Sequence, residues 1–577
     1  MDVSYFSMEI WLADGIPTYS GGLGVLAGDT LRALADAGVA CNAVTLLYTG
    51  GYFRQEITEE GTQRDEAVVW DPSAHLEPLD VRASFQLEGR TVHLKAWRYV
   101  LTGVGGHQIP VVLLDTDVEE NAAEDRTLCD RLYGGDTRHR IRQEAVLGLG
   151  GVAILDALEQ RGRTLHMNEG HASLLALELY ARAREDGLGE AEARASTRGQ
   201  CVFTTHTPVP AGHDRFEEAL VNRHLPPRLT ERLAELPATE DGHLNMTLMG
   251  LALAGYVNGV AKRHGEVSRE MFPDYEIDAI TNGVHAVSWT SSPIAEVFDE
   301  RCAGWREDNQ RLRAMAEASI EGLREAHRAA KQQLIDEVER RVGTCLSVER
   351  FTIGFARRKT PYKRALLLLS DIPRLAEIAE RHGGLQVVYA GKAHPKDTAG
   401  QSLVREIHAI QTTLPDQIKL VFLPNYETDL GRLITAGVDV WLNTPRPPME
   451  ASGTSGMKAV LNGVPNLSVD DGWWCEGYVP GKTGWRIDAS IVAAKGDATD
   501  SSAEAAHDRA EQLSQLTNDD DRLDAAQLYA LLDEEVLPAF ADAPRWGDIM
   551  RHCIALGGSH FNAQRMALEY IERAYRL

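Results

Sequence analysis

Short apolar runs alternate with stretches of helical length in the second half of the chain, and this rhythm strongly constrains the fold. The runs are Phe351–Ala356, Leu385–Ala390, Ile418–Leu423, Val438–Leu442 and Pro465–Val469. Continuous apolar runs of this length, separated by helices, are typical of strands buried on both faces of a parallel sheet. The pattern therefore predicts an α/β fold built on a doubly wound sheet.

Length and charge narrow the class of protein. The chain has 577 residues, and single cores stop growing at about 250 to 300 residues, so at least two domains are expected. The net charge of -26 argues against nucleic acid or an anionic membrane as partner. No run is long enough to cross a bilayer, and no leader precedes the strand-like Val3–Phe6, which predicts a cytoplasmic protein. Seven widely spaced cysteines without a Cys-x-x-Cys pair predict buried free thiols and no metal site.

The segment 450–458 reads Glu-Ala-Ser-Gly-Thr-Ser-Gly-Met-Lys and concentrates groups that bind anions. Gly453 and Gly456 allow backbone amides to approach an anion, and a helix beginning there points its positive end at that anion. Lys458 follows within about one helical turn, close enough for its amine to form a Schiff base with an aldehyde whose phosphate lies in the turn. Pyridoxal phosphate fits this description. An ordinary turn followed by a surface lysine is the alternative.

A cluster of five cations in the eight residues 357–364 directly follows the apolar run Phe351–Ala356. Ligands of doubly wound sheets bind beyond the carboxyl ends of the strands, so this position favours an anion pocket over a solvated charged face. Two phosphates side by side carry up to about four negative charges and would require several cations. A glycine-rich turn before a helix at Ser20–Asp29 is a weaker signal for phosphate.

In the first half, polar groups follow two further strand-like runs. Thr164–Met167 leads into Asn168, Glu169 and His171, and Cys201–Thr205 leads into His206. A histidine in such a place is often structural, but His171, which follows Asn168 and Glu169, is a candidate for hydrogen bonds with sugar hydroxyls. Elsewhere, the Trp473-Trp474 pair is predicted to pack in the core, and the polar stretch Ala494–Asp521 to form an exposed loop and helix.

Taken together, these motifs resemble the α-glucan (glycogen, starch or maltodextrin) phosphorylases, a family of pyridoxal-phosphate-dependent retaining glycosyltransferases, in their compact bacterial and archaeal branch. The resemblance runs nearly end to end. It is carried by Tyr5–Glu9, Ser20–Gly24, Arg131–Asp136, Arg140–Glu144, Asn168–His171, Thr205–Pro208, Thr281–His285 with Trp289, Gly354–Arg358, Tyr362–Arg364, Gly391–Pro395, Asn425–Tyr426 and Glu450–Lys458.

The resemblance implies two Rossmann-like lobes that face each other across a cleft, the GT-B arrangement of glycosyltransferases. The first lobe would span residues 1–284, and the second, which binds the cofactor, residues 285–555. Residues 556–577, with the helical stretch Phe561–Tyr575, would return to the first lobe. Ser455-Gly456 departs from the Gly-Asn that many relatives carry at the phosphate turn.

The resemblance also implies roles for individual residues. Lys458 would carry the Schiff base, with Arg357, Thr454 and Ser455 around the cofactor phosphate and Trp11, Trp289 and Tyr426 around its ring. Inorganic phosphate would be held by Arg358, Lys363 and the turn Gly21, Gly22 and Leu23, chiefly the Gly22 amide. The transferred glucose would contact His171, Asn282, Tyr362, Glu450, Ser452 and Gly453. Asp136 and Arg140 would lie on a loop controlling phosphate entry.

The implied reaction is reversible phosphorolysis of terminal α-1,4 glucosyl units to glucose 1-phosphate, with retention. Phosphate would both protonate the leaving oxygen and attack the anomeric carbon, so no glycosidase-like carboxylate pair is needed. A nucleotide-sugar glycosyltransferase on the same scaffold is one alternative, although such enzymes typically carry an acidic residue where this chain has Lys458. A catalytically inactive glucan-binding protein is another, although Lys458, Arg358, Lys363 and His171 are all present. A homo-oligomer is compatible with the resemblance.

Overall fold

The computed structural model describes residues 1–209, 212–496 and 518–577. Its strands are β1 Val3–Phe6, β2 Cys41–Leu46, β3 Arg54–Ile57, β4 Gln63–Glu66, β5 Glu77–Leu87, β6 Arg90–Thr102, β7 Gln108–Asp115, β8 Thr164–Asn168, β9 Cys201–Thr204, β10 Arg215–Glu217, β11 Thr239–Glu240, β12 His243–Asn245, β13 Tyr256–Gly259, β14 Asp278–Ala279, β15 Thr352–Ala356, β16 Leu385–Ala390, β17 Ile418–Leu423, β18 Val440–Asn443, β19 Asn466–Val469 and β20 Gly484–Ile487.

Helices connect most of these strands. In the first half the α-helices are Gly22–Asp36, Ala123–Arg126, Thr137–Ala145, Gly151–Ala157, Leu174–Glu185, Glu190–Arg198, Glu218–His224, Pro227–Leu233, Met246–Leu253 and Lys262–Met271. They continue with Ala286–Trp289, Ser292–Arg301, Ile320–Val342, Ile372–Arg381, Thr398–Gln411, Thr428–Gly437, Thr454–Leu461, Trp474–Gly477, Ala489–Gly496, Asn518–Leu531, Leu537–Ala541, Ala543–His552 and Ala563–Glu569.

The strands form two large sheets. The first sheet has nine strands in the order β14-β13-β9-β8-β1-β2-β7-β6-β5, and the second has six in the order β17-β16-β15-β18-β19-β20. The second sheet is parallel throughout, whereas β5 and β6 extend the first sheet in antiparallel fashion. Two small antiparallel sheets, β10-β12-β11 and the hairpin β3–β4, complete the arrangement. The predicted α/β class is confirmed.

The apolar runs predicted the second sheet well. β16 and β17 begin and end where the runs do, and the other three runs overlap β15, β18 and β19. Side chains alternate between two core clusters: Val387 and Tyr389 of β16 join one, while Val388 and Ala390 join the other. Both faces of the sheet are therefore buried, which explains why the runs are continuous rather than alternating.

The end of the chain packs against its beginning. The helix Ala563–Glu569 contacts the helix Gly22–Asp36, and the Tyr575 hydroxyl lies 2.7 Å from Nδ1 of the buried His166. Met566 and Tyr570 belong to the same apolar cluster as β1. The C-terminal segment thus completes the core on one face of the first sheet.

Some further predictions from the sequence are confirmed and others are wrong. Trp473 and Trp474 are buried in the core, as predicted. Five cysteines are buried, but Cys345 and Cys475 are exposed, so the prediction of buried thiols is wrong for these two. Most of the stretch Ala494–Asp521 lies outside the described residues. Among the helices that are described, none combines the length and apolar character needed to span a bilayer.

A buried ion cluster ties the long helix Ile320–Val342 to the second sheet. Asp439 accepts hydrogen bonds from Lys331 Nζ (2.6 Å) and from the Thr352 amide (2.7 Å), and His327 Nε2 lies 3.2 Å from its other oxygen. Burial alone would raise the pKa of Asp439, but the charges and hydrogen bonds of Lys331 and His327 together outweigh burial and the pKa is lowered. The carboxylate therefore stays ionised inside the protein.

Replacement of Asp439 should strongly destabilise the protein. Asp439→Ala leaves the Lys331 ammonium buried without its counter-ion, a loss of about 3–5 kcal/mol. The measurement is the midpoint of urea unfolding followed by tryptophan fluorescence. Asp336→Ala, which changes an exposed carboxylate on the same helix as Lys331, is the control. Equal midpoints for the two variants would contradict the role of the cluster.

Candidate active site

The cation-rich segment and the glycine-rich segment lie at the same edge of the second sheet. Residues 357–364 follow β15, and residues 444–458 follow the neighbouring parallel strand β18. Because parallel strands end at the same edge, the two segments lie side by side. The sequence prediction that both belong to strand ends is confirmed.

A buried carboxylate joins these segments. Glu450 Oε2 lies 2.8 Å from Arg357 Nη1 and 2.5 Å from Lys363 Nζ, and all three side chains are largely buried. Burial alone would raise the pKa of Glu450, but the charges of Arg357 and Lys363 prevail and lower it to about 2. Glu450 is therefore an anion at neutral pH. It orients the two cations.

A second carboxylate holds the backbone of Glu450. Asp471 follows β19 and accepts a hydrogen bond from the Glu450 amide (2.8 Å) and another from the Gly472 amide (2.9 Å). The Trp473 amide donates to the Ser452 carbonyl at 2.8 Å. The turn 471–473 thus fixes the segment that carries Glu450 and Ser452.

Lys458 lies within the helix Thr454–Leu461 and is buried. Its Nζ is 3.4 Å from the centre of the Trp289 ring, a cation–π contact. Burial lowers the pKa of Lys458 to about 8, although the neighbouring Asp29 opposes the shift. Asp29 in turn accepts hydrogen bonds from Trp289 Nε1 at 2.9 and 3.1 Å. The amine thus has a larger neutral fraction at pH 7 than an exposed lysine.

The turn before this helix has features of an anion cradle. Gly453 adopts φ +88°, in the left-handed region that glycine favours. The hydroxyls of Ser452 and Ser455 are buried and have no hydrogen-bond partner among the described residues. A side chain at Gly456 would collide with Asn466 and with the Trp473 ring. Unpaired buried hydroxyls beside a helix start suit a phosphate group.

Aromatic side chains lie close to Lys458. The rings of Trp11 and Trp289 are 5.7 Å apart, and both are buried. Tyr426 follows β17 and is half-buried, with its hydroxyl close to Gly431. Gly431 also lies close to the Trp289 ring. The three aromatic residues predicted around a cofactor ring therefore occupy one region of the protein.

Arg358 differs from its neighbours in the cation cluster. It reaches solvent but is closely surrounded by protein, as expected for a side chain within a cleft. No described residue forms a hydrogen bond or an ion pair with its guanidinium. Lys359, in contrast, is fully buried among aromatic rings and donates to the Ala390 carbonyl. Arg358 is consequently the member of the cluster best placed to meet an anion from solvent.

The glycine-rich turn of the first half lies at the start of the helix Gly22–Asp36. A side chain added at Gly21 or Gly22 would contact nothing within 4 Å, so open space adjoins the backbone here. Glu9 accepts hydrogen bonds from the Ser20 amide (2.6 Å) and the Gly21 amide (3.2 Å). The Gly22 and Leu23 amides belong to the first turn, where no intrahelical partner exists.

The residues predicted to contact the sugar differ from one another in burial and in hydrogen bonding. His171 is buried, and its Nε2 accepts a hydrogen bond from the Met8 amide at 3.1 Å. Burial lowers the pKa of His171 to about 3, so the ring is neutral. Asn282 is buried with its Oδ1 unpaired among the described residues. Tyr362 is half-buried, and its ring covers Lys363 Nζ at 4.5 Å.

His206 follows the neighbouring strand β9 and is only half-buried. Its Nε2 lies 2.7 Å from Asn168 Oδ1, and its amide donates to Glu169 at 2.7 Å. Glu169 has φ +81°, a strained conformation of the kind that clusters at functional sites. His206 directly follows a strand, as the sequence already indicates. This position makes it a further candidate for contact with a sugar.

The residues expected to control phosphate entry lie at the start of the helix Thr137–Ala145. Asp136 is its N-cap and accepts from the His139 amide at 2.9 Å. Arg140 is held by Glu144 at 2.9 Å and by Asp214 at 2.7 Å, and its guanidinium lies 5.0 Å from the Tyr133 ring centre. Asp136 is exposed and Arg140 is engaged in ion pairs.

The sequence analysis did not identify two residues of the site, Asp471 and Asp29. Asp471 follows β19, so the rule that strand ends carry chemistry could have indicated it. Asp29 lies within the predicted glycine-rich helix, where nothing in the local pattern connects it with Trp289, 260 positions away. Both carboxylates support groups already predicted, Glu450 and Lys458.

Fold and site together define an α/β protein with a cation-rich pocket and a buried lysine of lowered pKa. Comparison with known proteins agrees with this class. The family model described as carbohydrate phosphorylase matches residues 227–476. Maltodextrin phosphorylase of Thermococcus litoralis is 37% identical over 99% of this chain and 70% of its own length.

Two glycogen phosphorylases are also similar. That of Mycobacterium tuberculosis is 36% identical over 99% of this chain and 70% of its own length. That of Aquifex aeolicus is 32% identical, with 99% and 86% covered. The chain therefore belongs to the carbohydrate phosphorylase family, among the α-glucan phosphorylases, as the sequence motifs predicted.

The ionisation of Asp471 should make stability depend on pH. Burial raises the pKa of Asp471 to about 7, far above its value in an unfolded chain. The folded state therefore holds a proton between about pH 4 and pH 7 that the unfolded state releases, and stability from this group falls as pH rises through 7. Thermal unfolding midpoints at pH 5 to 8 will measure it.

In this experiment, the wild type should gain stability relative to Asp471→Asn as the pH is lowered from 8 to 5. Asp470→Asn, which changes the adjacent half-exposed carboxylate, is the control and should keep the slope of the wild type. Parallel curves for the wild type and Asp471→Asn would contradict the assignment.

Proposed function

We propose that the chain catalyses reversible phosphorolysis of terminal α-1,4-linked glucosyl units of glycogen or maltodextrin, giving α-glucose 1-phosphate. The observation that carries this proposal is the juxtaposition of Lys458 and its glycine turn with the Arg357–Lys363 cations at one sheet edge. Membership of the carbohydrate phosphorylase family supports it. A nucleotide-sugar transferase would have no need of a buried lysine of lowered pKa at this position.

Pyridoxal phosphate fits the residues present. Lys458 would anchor its aldehyde carbon, and the buried, unpaired hydroxyl of Ser455 would join Thr454 and Arg357 around its phosphate. Trp11, Trp289 and Tyr426 would enclose its ring. When bound, the cofactor would supply a phosphate that acts as proton or charge partner of inorganic phosphate. The lysine would serve as an anchor.

Inorganic phosphate would bind to Arg358 and Lys363, with the Gly22 amide and the turn Gly21–Leu23 on its other side. Arg358 is available because it forms no ion pair with any described residue. Lys363 Nζ has three donor hydrogens, and Glu450 uses one of them. Cations are required here because two phosphates repel each other strongly where water is excluded.

The glucosyl unit would contact Glu450, Ser452, Gly453 and Tyr362 of the second half and His171 and Asn282 of the first. The unpaired Ser452 hydroxyl and Asn282 Oδ1 are ready to meet sugar hydroxyls. His206 is more exposed than His171, although the Nε2 of each is engaged, by Asn168 Oδ1 in His206 and by the Met8 amide in His171. We therefore add His206 to the proposed sugar contacts.

The chemistry would need no carboxylate pair. Inorganic phosphate would protonate the leaving glycosidic oxygen and then attack the anomeric carbon from the same face, which retains the configuration. The cations would stabilise charge that develops on phosphate, and Glu450 would hold Arg357 and Lys363 in place for this task. Positioning of phosphate against the sugar would supply much of the rate enhancement.

We also propose the larger arrangement that the family resemblance implies. The first and second sheets would be the centres of two Rossmann-like lobes, residues 1–284 and 285–555, with residues 556–577 returning to the first. Asp136 and Arg140 would control phosphate entry. A cytoplasmic enzyme is expected, since phosphate and pyridoxal phosphate are metabolites of that compartment.

Lys458 and the cofactor should be lost together. Lys458→Met should retain no bound pyridoxal phosphate absorbance and should form no glucose 1-phosphate from maltoheptaose and phosphate, because the anchor is absent. Lys419→Met, at an exposed position, should behave as the wild type. An active wild type that needs no pyridoxal phosphate, or one that consumes uridine or adenosine diphosphate glucose instead, would refute the proposal.

Arg358 should act on phosphate rather than on glucan. Removal of a charged donor in Arg358→Ala should raise the KM for phosphate about 10- to 100-fold while the KM for maltoheptaose changes little. Arg374→Ala, at a half-buried arginine away from the strand end, is the control. Initial rates at varied phosphate and varied maltoheptaose separate the two constants. Equal increases in both would count against the assignment.

A further inference from the structure

The hairpin β3–β4 of the first half carries two buried glutamines. Gln55 and Gln63 are 1% and 7% exposed, whereas their strand neighbours Arg54, Glu56 and Arg64 are exposed. A buried amide side chain is costly unless each of its polar atoms finds a partner. Apart from contacts within the hairpin itself, the partners of both side chains lie in the second half of the chain, more than 300 residues away.

Gln63 pairs with the backbone of Ala393, and its Nε2 also donates to Asp65 Oδ1 at 2.7 Å. Its Oε1 accepts from the Ala393 amide at 3.0 Å, and its Nε2 donates to the Ala393 carbonyl at 2.8 Å. Gln55 Nε2 also donates to Gln63 Oε1 at 2.7 Å, which couples the two side chains. The loop after β16 is thereby held by a pair of bonds like those between strands.

Gln55 makes a second reciprocal pair. The side-chain Oε1 of Gln55 accepts a hydrogen bond from the Asn425 backbone amide at 3.0 Å, and the backbone amide of Gln55 donates to Asn425 Oδ1 at 3.1 Å. Asn425 has φ +55°, a left-handed conformation that this pair stabilises. Gln55 Nε2 further donates to the Gly391 carbonyl at 3.2 Å. The hairpin therefore holds the loops after both β16 and β17.

The loop after β16 is directly paired with the cation segment. The Arg357 amide donates to the Ala390 carbonyl at 3.2 Å, and the Lys359 amide donates to the Lys392 carbonyl at 3.0 Å. A Cβ atom at Gly391 would lie only 1.9 Å from the Arg357 carbonyl oxygen, so the two backbones are in contact. Arg358 projects from the centre of this paired stretch.

The loop after β17 leads to the aromatic region. Asn425, which Gln55 holds, directly precedes Tyr426, the residue proposed to lie against the cofactor ring. A change at Gln55 is therefore transmitted to two groups, Arg358 through Gly391 and Tyr426 through Asn425. A change at Gln63 is transmitted directly to the first group, through Ala393, and reaches the second only indirectly, through the hydrogen bond with Gln55.

We propose that Gln55 and Gln63 are positioning residues for the reaction: the hairpin from the first half sets the strand-end loops of the second sheet, and so places Arg358 for phosphate and Tyr426 for the cofactor. The inference rests on the proposed function for these two roles. The reciprocal bonds that carry it are observed independently of that function.

Methionine variants test the proposal because they keep the length of the side chain and remove its hydrogen bonds. Gln63→Met should raise the KM for phosphate about tenfold, with the KM for maltoheptaose and the bound cofactor unchanged. Gln55→Met should raise the KM for phosphate and also release pyridoxal phosphate more readily on dilution. Glu56→Met, on the exposed face of the same strand, is the matched control and should match the wild type.

A merely structural role predicts a different outcome. It would lower the thermal midpoint in both variants and leave both KM values as in the wild type, or raise them equally, and either result would overturn the proposal. Identical behaviour of Gln55→Met and Gln63→Met with respect to cofactor release would overturn the separate route through Asn425.

Hydrogen exchange provides a readout that does not depend on activity. In the wild type, the Ala393 and Asn425 amides should be strongly protected, because each donates to a buried glutamine oxygen. Gln63→Met should lose protection at Ala393, and Gln55→Met at Asn425. Fast exchange of both amides in the wild type would refute the hairpin contacts themselves. Protected amides in a wild type that forms no glucose 1-phosphate would instead refute the proposed function.

Discussion

The buried carboxylate of Glu450 is the interaction on which the rest of the site depends. It contacts Arg357 and Lys363 on the loop after β15, while Asp471 holds its amide from the loop after β19. Removal of charges from water is costly, and a cluster of this kind is tolerable only when opposite charges are in contact. Glu450 contacts two of the cations gathered here, and so the pocket keeps an excess of positive charge in a chain of net charge -26.

This excess of positive charge would allow the proposed site to hold two anions close together. Lys458 and its glycine turn are suited to one anion, and Arg358 with Lys363 to another, on neighbouring strand ends of the same sheet. Trp11 and Asp29 of the first half lie near Lys458, and in the proposed arrangement the Gly22 amide would lie near the second anion. The hairpin glutamines connect the halves at the loops after β16 and β17, of which the first lies against the Arg358 segment and the second carries Tyr426. If the proposed roles hold, anion binding and the contact between the two halves are physically linked.

The sequence alone predicts a good part of this arrangement. Local periodicity locates β16 and β17, and the strand-end rule brings the 357–364 and 450–458 segments together. Contacts between distant residues are beyond such patterns, because a run of amino acids does not show which carboxylate meets which amide. Gln55 with Asn425 and Asp29 with Trp289 are of this kind. The burial of His171 against the Met8 amide, which depends on how β1 and β8 pair, was likewise not predictable.

The central claim is that the pocket holds two anions at separate places. Its most direct test is thermal unfolding of the protein alone, with pyridoxal phosphate, with inorganic phosphate, and with both, since a ligand of the folded state raises the midpoint according to its affinity. The account predicts that phosphate raises the midpoint further after pyridoxal phosphate has saturated its own effect. If saturating pyridoxal phosphate abolishes the increment from inorganic phosphate, the two anions compete for one place and the account is wrong.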